Sequence, residues 1–127
     1  MRLNQVTIAS RDVQRAIDFY KKLGLQLIVR NLPTYARFVC PDGDSTLSVE
    51  LDPDNAGRGG TVVFFECDDI DARYSVLKAV GVQFVSEPQD QPWLWREARL
   101  SDPDRNRLCL FNAGPNRLFP PWRLSSQ

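Results

Sequence analysis

The strongest constraint on the fold is an internal repeat, in which the second half of the chain restates the first about 57 residues later. Residues 12–27 align without a gap with residues 69–84, and most of the apolar positions coincide. The identical positions include an aspartate, a glycine and a glutamine in each copy: Asp12 and Asp69, Gly24 and Gly81, Gln26 and Gln83. A unit repeated in this way cannot bury its apolar face alone, so we expect the two halves to share one sheet or one cavity.

Length and charge limit the class of protein. The 127 residues are enough for one domain with a hydrophobic core. Sixteen basic side chains balance sixteen acidic ones, which argues against nucleic acid or a membrane surface as a partner. The apolar runs are too short to span a membrane, and the first residues contain no signal-peptide core. Cys40, Cys67 and Cys109 lack Cys-x-x-Cys spacing, and we expect buried, reduced thiols in a cytoplasmic protein.

The chain contains no histidine. Histidine is the commonest general acid or base near neutral pH and the commonest metal ligand. Its absence excludes Ser-His-Asp and Cys-His catalytic machinery.

The first half predicts one helix and four strands. Asp12 is a plausible N-cap for a helix over 13–23, and Gly24 fits the left-handed position after its last residue. The apolar residues of this helix form a single stripe: Ala16, Ile17, Tyr20 and Leu23. The strands are predicted over 3–8, 25–29, 35–40 and 46–51.

The second half repeats that plan after a Pro/Gly/Asn-rich linker over 52–60. Asp69 is expected to cap a helix that ends at Gly81, and the tail 113–127 is expected to be extended. Strands are predicted over 61–67, 82–85, 93–100 and 107–111. The order βαβββ–βαβββ predicts an α+β fold with modules at about 3–51 and 61–112 of a single domain. The sheet faces not covered by helices would line a central trough for a ligand.

Three motifs in order resemble the vicinal oxygen chelate superfamily, which includes glyoxalase I, bleomycin-resistance proteins and extradiol dioxygenases. The opening motif is Val6-Thr7-Ile8 followed by Asp12 and Ala16-Ile17-Asp18-Phe19-Tyr20-Lys21-Lys22-Leu23-Gly24-Leu25. The middle motif is Phe65-Glu66-Cys67-Asp68-Asp69-Ile70-Asp71, and the closing motif is Asp102-Pro103-Asp104-Arg105-Asn106 with the strand after it. The resemblance covers about residues 3–112 and implies a curved mixed sheet of two βαβββ repeats around the trough.

The resemblance also implies four metal-ligand positions, which fall on Gln5, Glu50, Val62 and Cys109. Val62 has no lone pair to offer, and Cys109 is a soft donor where the family uses a carboxylate. One amide, one carboxylate and one thiol also make a poor zinc site. We therefore expect neither a metal nor another cofactor.

Several polar residues have two interpretations. Glu50, with Ser48 beside it in the trough, could act as a general base or bind a cationic group. It could equally be a structural carboxylate paired with Arg37 or Arg107. Gln5 could hydrogen-bond the ligand or be only partly buried.

The second half offers a thiol and aromatic surface. Cys109 could be a nucleophile if an arginine lowered its pKa. The aromatic residues could stack on a planar or sugar-like ligand, or could only pack in the core: Phe64, Trp93, Trp95 and Phe111. Trp93 and Trp95 are expected to share one strand face.

Two functions follow, together with a non-catalytic alternative. The first is a metal-free small-molecule binding protein, similar to the bleomycin-resistance branch, with Val62 and the residues above around the ligand. The second is a lyase, isomerase or dioxygenase-like enzyme that uses Glu50 as base, with or without a recruited divalent metal. The third is an accessory domain without a ligand. Family members commonly dimerise, so a homodimer is expected.

Overall fold

The computed structural model describes residues 1–125, which form two compact units. The first unit contains Met1–Thr61 and Ser101–Arg107, and the second contains Val62–Leu100 and the chain from Leu108 onward. The elements in chain order are β1 (Gln5–Ser10), α1 (Val13–Leu23), β2 (Gln26–Asn31), β3 (Tyr35–Val39), β4 (Thr46–Leu51), β5 (Val62–Glu66), α2 (Ile70–Ala79), β6 (Gln89–Asp90), β7 (Arg96–Ser101), β8 (Arg107–Asn112) and a 3-10 turn, Gly114–Asn116.

Helix α1 begins and ends where the sequence predicts. The Asp12 side chain accepts a hydrogen bond from the Arg15 amide at 3.1 Å, which satisfies one of the unpaired donors of the first turn. Gly24 follows the helix with φ of 111°, a left-handed conformation that residues with a Cβ rarely adopt. The predicted stripe is buried, together with Val13.

The first sheet has the order β1-β4-β3-β2. Strands β1 and β4 are parallel, and the other neighbours are antiparallel. One face packs against α1, as the 5.7 Å between the ring centres of Tyr20 and Phe38 indicates. The opposite face, here called the polar face, carries Gln5, Thr7, Tyr35, Arg37, Thr46, Ser48 and Glu50.

The second sheet has the order β5-β8-β7-β6. Helix α2 begins after Asp69, whose side chain accepts from the Ala72 amide at 3.1 Å. Arg96 of β7 donates to Asp71 of α2 at 2.8 Å and 2.9 Å, so this side of β7 faces the helix. By strand alternation, Glu97 and Arg99 lie on the other side.

One predicted strand of this unit is absent, and the predicted start of another is wrong. Residues 82–85 form no strand: Phe84 makes one isolated bridge to Leu100, and the amides of Val85 and Ser86 both bond to the Arg99 carbonyl. Two amides on one acceptor interrupt the ladder, and β6 forms later in the chain.

Strand β7 begins at Arg96 and not at residue 93. Leu94 has φ of 69° in a turn closed by its amide and the Gln91 carbonyl at 2.9 Å. Trp93 lies inside this turn and Trp95 follows it, both before β7 begins, so the prediction that they share a strand face is wrong. A local turn overrode the apolar alternation.

The tail is not fully extended, because Gly114–Asn116 form a turn of 3-10 helix with Pro115 in its first positions. The last two residues of the predicted tail, 126 and 127, lie outside the described residues.

The α+β class and the two βαβββ units are confirmed. The single-domain organisation and the trough remain predictions. No helix among residues 1–125 is long and apolar enough to cross a membrane.

Candidate functional site

A chain of hydrogen bonds crosses the polar face of the first unit. Ser48 Oγ accepts from Gln5 Nε2 at 2.7 Å and shares a hydrogen with the Tyr35 hydroxyl at 2.6 Å. That hydroxyl also accepts from Arg37 Nε at 2.9 Å. Ser48 is only 1% exposed, so the chain is anchored at a buried hydroxyl. Two predicted site residues, Gln5 and Ser48, therefore meet here, together with Tyr35 and Arg37.

The Gln5 amide is held on both sides. Its Nε2 also donates to the Val6 carbonyl at 3.2 Å, and its Oε1 accepts from the Thr46 hydroxyl. Gln5 is exposed, yet its oxygen already has a hydrogen-bond donor. Its amide therefore orders the polar face, and Thr46 occupies one of the two lone pairs of Oε1.

Glu50 lies on the polar face but takes no part in these hydrogen bonds. It is exposed and directly opposite Tyr35 in the β3–β4 register. The ion pair of the structural interpretation is not formed: Arg37 Nε bonds to Tyr35, and Arg107 Nη2 bonds to the Gly59 carbonyl at 3.3 Å. Within residues 1–125, Glu50 has no ion pair.

Aromatic rings gather in the second unit. The aromatic cluster consists of Phe64, Trp95 and Phe111, with Trp95 and Phe111 stacked at 4.8 Å between ring centres. Phe64 meets both rings edge-on, at 5.9 Å and 5.6 Å. Cys109 belongs to the same buried cluster as Phe111, and Val62 and Trp95 pack against it. Five predicted site residues thus lie together, and Phe64 remains 40% exposed.

Glu97 is a buried acid that sequence reasoning missed. It is 3% exposed and accepts from Trp93 Nε1 and from Arg99 Nη2, each at 2.8 Å. Arg99 also lies over the Phe64 ring, 5.2 Å from its centre. Trp93 is therefore held by Glu97 and not by the aromatic cluster. The sequence around it, Arg96-Glu97-Ala98-Arg99, gives no signal that this acid is buried.

Cys109 is a poor nucleophile. Burial raises the pKa of its thiol to about 12, and the Glu97 carboxylate adds to this effect while Arg99 opposes it. Because the thiolate is the reactive form, the thiol is inert near neutral pH. The structure thus argues against the reactive interpretation.

The family's metal does not fit these residues. Val62 offers no donor atom, Cys109 offers a soft sulfur where the family uses a carboxylate, and the Gln5 oxygen already accepts from Thr46. No three His, Cys, Asp or Glu side chains in the described part of the chain are placed to hold a metal ion. The donor chemistry at the transferred positions therefore disagrees with a divalent metal.

The closing motif has a structural role in the first unit. Asp104 is fully buried and accepts from Ser10 Oγ at 2.5 Å, from the Arg11 amide at 2.8 Å and from Arg15 Nη2 at 3.1 Å. Asp102 accepts from the Tyr20 hydroxyl at 2.7 Å. The motif ties the segment Ser101–Arg107 to the start and middle of α1.

Comparison with known proteins gives a family. The profile of the glyoxalase/bleomycin resistance protein/dioxygenase superfamily matches residues 2–110. No curated protein sequence matches the chain.

Solved structures agree with that match. A superfamily member from Sphaerobacter thermophilus is 29% identical, with a TM-score of 0.73, and the match covers 88% of this chain and 97% of that one. A glyoxalase/bleomycin resistance protein/dioxygenase from Nocardioides is 25% identical, with a TM-score of 0.76 and coverage of 98% and 90%. A bleomycin resistance determinant encoded on the transposon Tn5 is 25% identical, with a TM-score of 0.69 and coverage of 88% and 98%.

Proposed function

The chain belongs to the glyoxalase/bleomycin resistance protein/dioxygenase superfamily, and from this membership we propose that it is a small-molecule binding protein that works without a catalytic metal. The observation that carries the proposal is the donor chemistry at the four transferred positions. Val62 is apolar and Cys109 is a soft sulfur donor, so only Gln5 and Glu50 can offer oxygen, and the Gln5 oxygen already accepts from Thr46.

Two features support binding of an organic molecule. The aromatic cluster offers the exposed part of Phe64, next to the Arg99 guanidinium, for contact with a planar group. The polar face offers hydroxyl and guanidinium donors that can fix the orientation of a ligand. The similar bleomycin resistance determinant also favours a binding role, although a cationic drug suits this chain's neutral charge poorly.

Elemental analysis and a thermal-shift screen test the proposal together. We expect less than stoichiometric divalent metal in protein purified without chelator, and at least one organic compound that raises the unfolding midpoint. A stoichiometric divalent metal would overturn the metal-free function. A screen without any hit, with bleomycin included, would overturn the binding function.

The alternative is an enzyme that uses Glu50 as a general base, with or without a recruited divalent metal. It is favoured by one observation, the lack of an ion pair for Glu50 within residues 1–125. The test incubates each hit of the screen with the protein and follows it by mass spectrometry. Turnover that falls at least about tenfold in Glu50→Gln supports the enzyme, and unchanged hits reject it.

We also propose a homodimer in the cytoplasm. The tail exposes large apolar side chains, which favours burial against a second copy: Leu118, Phe119, Trp122 and Leu124. Sedimentation velocity at micromolar concentration should give a dimer that Trp122→Ser weakens, and a wild-type monomer would reject it. Cys40 and Cys109 form no disulfide within residues 1–125, which fits a reducing compartment, and cell fractionation tests this location.

A further inference from the structure

A count of hydrogens on the polar face leaves one donor unused. Tyr35 and Ser48 carry two hydroxyl hydrogens, and one of them lies in the bond between their oxygens. Ser48 Oγ accepts from Gln5, and the Tyr35 oxygen accepts from Arg37. Whichever hydroxyl donates to the other, the remaining O–H has no acceptor within residues 1–125.

This count depends on which end of the Gln5 amide faces Ser48. The nitrogen assigned to that end also donates to the Val6 carbonyl, an atom that cannot donate in return. The other end accepts from the Thr46 hydroxyl. A flipped amide would set its oxygen against the Val6 carbonyl oxygen, so the assignment is fixed by the backbone.

Arg37 adds a positive charge beside the unused hydroxyl hydrogen. Its Nε is bound to Tyr35, and its guanidinium carbon lies 5.5 Å from the centre of the Tyr35 ring. Both contacts hold the group in place. Its terminal nitrogens form no hydrogen bond or ion pair with the described residues, and the side chain is exposed. Arg37 and Ser48 are direct partners in the β3–β4 register, so their side chains stand on the same face as neighbours.

We infer that Arg37, Tyr35 and Ser48 form a carboxylate-binding site, and that the ligand of the proposed function, on which this inference rests, is an organic acid. A planar carboxylate accepts from both a guanidinium fork and a hydroxyl, and charge-assisted bonds of this kind are the strong ones. A ligand that offers only donors would leave these protein donors without acceptors.

Glu50 narrows the class of acid. It lies directly opposite Tyr35 and two residues from Ser48 on the same strand and face, and its charge is not neutralised by a described residue. A second anionic group on the ligand would meet this carboxylate, whereas a hydroxyl or amine would be a suitable donor to it. The site therefore favours monocarboxylates over dicarboxylates.

Matched acid and amide pairs test the inference by calorimetry: acetate and acetamide, benzoate and benzamide, phenylacetate and phenylacetamide. We expect at least one acid to bind, and its amide to bind at least about tenfold more weakly, since hydrogen bonds to charged groups are worth about that factor or more. Tyr35→Phe should weaken the acid about fivefold, and Arg37→Met should abolish the preference for acid over amide.

Arg30→Met is the matched control. Arg30 is an exposed arginine on the same sheet, paired in register with Ala36, whose side chain belongs to the helix-covered face. This variant should keep the wild-type affinity for the acid. Unfolding midpoints of all variants confirm that each is folded when it is assayed.

The outcomes separate this inference from the proposed function. Amides that bind as tightly as acids, or an acid whose affinity survives Arg37→Met, overturn the carboxylate site and leave small-molecule binding standing. Neutral or cationic hits in the thermal-shift screen, with no acid bound, would also overturn the carboxylate site and leave small-molecule binding standing. If no compound of any charge binds, both proposals fail.

Discussion

The Tyr20 hydroxyl donates a hydrogen bond to Asp102 Oδ2 at 2.7 Å, which joins the middle of helix α1 to a segment 82 residues later in the chain. The same carboxylate accepts from the amides of Asp104 and Asn106, each at 2.9 Å. Tyr20 is fully buried, so its hydroxyl has exchanged water for this one acceptor. The bond thus joins two of the family motifs through side chains inside the first unit.

Removing this hydroxyl should destabilise the fold. Tyr20→Phe leaves the ring packing intact and takes one donor from the Asp102 carboxylate. We expect a loss of about 1–3 kcal/mol in the free energy of unfolding, measured by urea denaturation. Tyr74→Phe is the control, because Tyr74 is only half-buried and has no hydroxyl bond among those described. An equal loss in both variants would contradict the role of Asp102.

The same pair predicts a pH dependence. Burial, and then the charge of Asp102, raise the pKa of Tyr20 well above its ordinary value. A raised pKa means that the unfolded chain releases this proton first, so the stabilisation is present below about pH 10 and is lost as the pH rises beyond it. The wild type should therefore lose stability above pH 10 more steeply than Tyr20→Phe. Parallel stability curves for the two proteins would reject this assignment.

Asp104 should be more sensitive to substitution than any exposed acid of α1. Asp104→Asn removes the charge that Arg15 and Arg11 face, and weakens the acceptor of Ser10 Oγ. Both arginines are half-exposed and can regain water, so we expect a loss of about 2–3 kcal/mol, less than for a fully buried pair. Asp18→Asn on the exposed side of α1 should stay within about 0.5 kcal/mol. Similar urea midpoints for both variants would show that the Asp104 carboxylate stabilises the fold no more than the exposed Asp18 does.

Cys109 should resist alkylation in the native protein. Its pKa of about 12 leaves almost no thiolate at pH 8, and its side chain is buried. Iodoacetamide labelling followed by peptide mass spectrometry should leave Cys109 unmodified until urea is added. The half-buried Cys40 should react faster than Cys109 in the native protein, and more slowly than it does in urea. Fast native labelling of Cys109 would restore its candidacy as a nucleophile.

The aromatic cluster contains one structural ring and one accessible ring. Phe111 is 5% exposed, so Phe111→Ala should cost about 3–5 kcal/mol of stability. Phe64 is 40% exposed, so Phe64→Ala should cost only about 1–2 kcal/mol and should weaken any aromatic hit of the thermal-shift screen. Equal costs for the two variants in urea denaturation would contradict this division.

Local signals in the sequence determined much of the fold. The caps Asp12 and Asp69 and the left-handed Gly24 act through their nearest neighbours, so their positions could be predicted without tertiary structure. The turn at Leu94 could not, because its left-handed conformation runs against the preference of a branched side chain. Apolar alternation alone therefore misplaced the start of β7.

The candidate site was less predictable for a similar reason. Gln5 and Ser48 were found by their family positions and by strand alternation. Arg37 and Tyr35 join them through cross-strand register, which depends on how β3 pairs with β4. Glu97 accepts hydrogen bonds from Trp93 and Arg99, and Trp93 lies in the turn that the alternation did not predict. Contacts between residues on different strands produce no repeating pattern in a single sequence, so they cannot be predicted from it.

The membership of Ser101–Arg107 in the first unit means that an ancestral duplication no longer corresponds to two separable pieces. A fragment cut at the linker would leave Ser10, Arg15 and Tyr20 without the two aspartates they bind, which arrive up to 94 residues later in the chain. Contacts at that separation form late, because the intervening loop must close first. During synthesis, the buried polar groups of the amino-terminal half must therefore remain without these partners until residue 104 has left the ribosome.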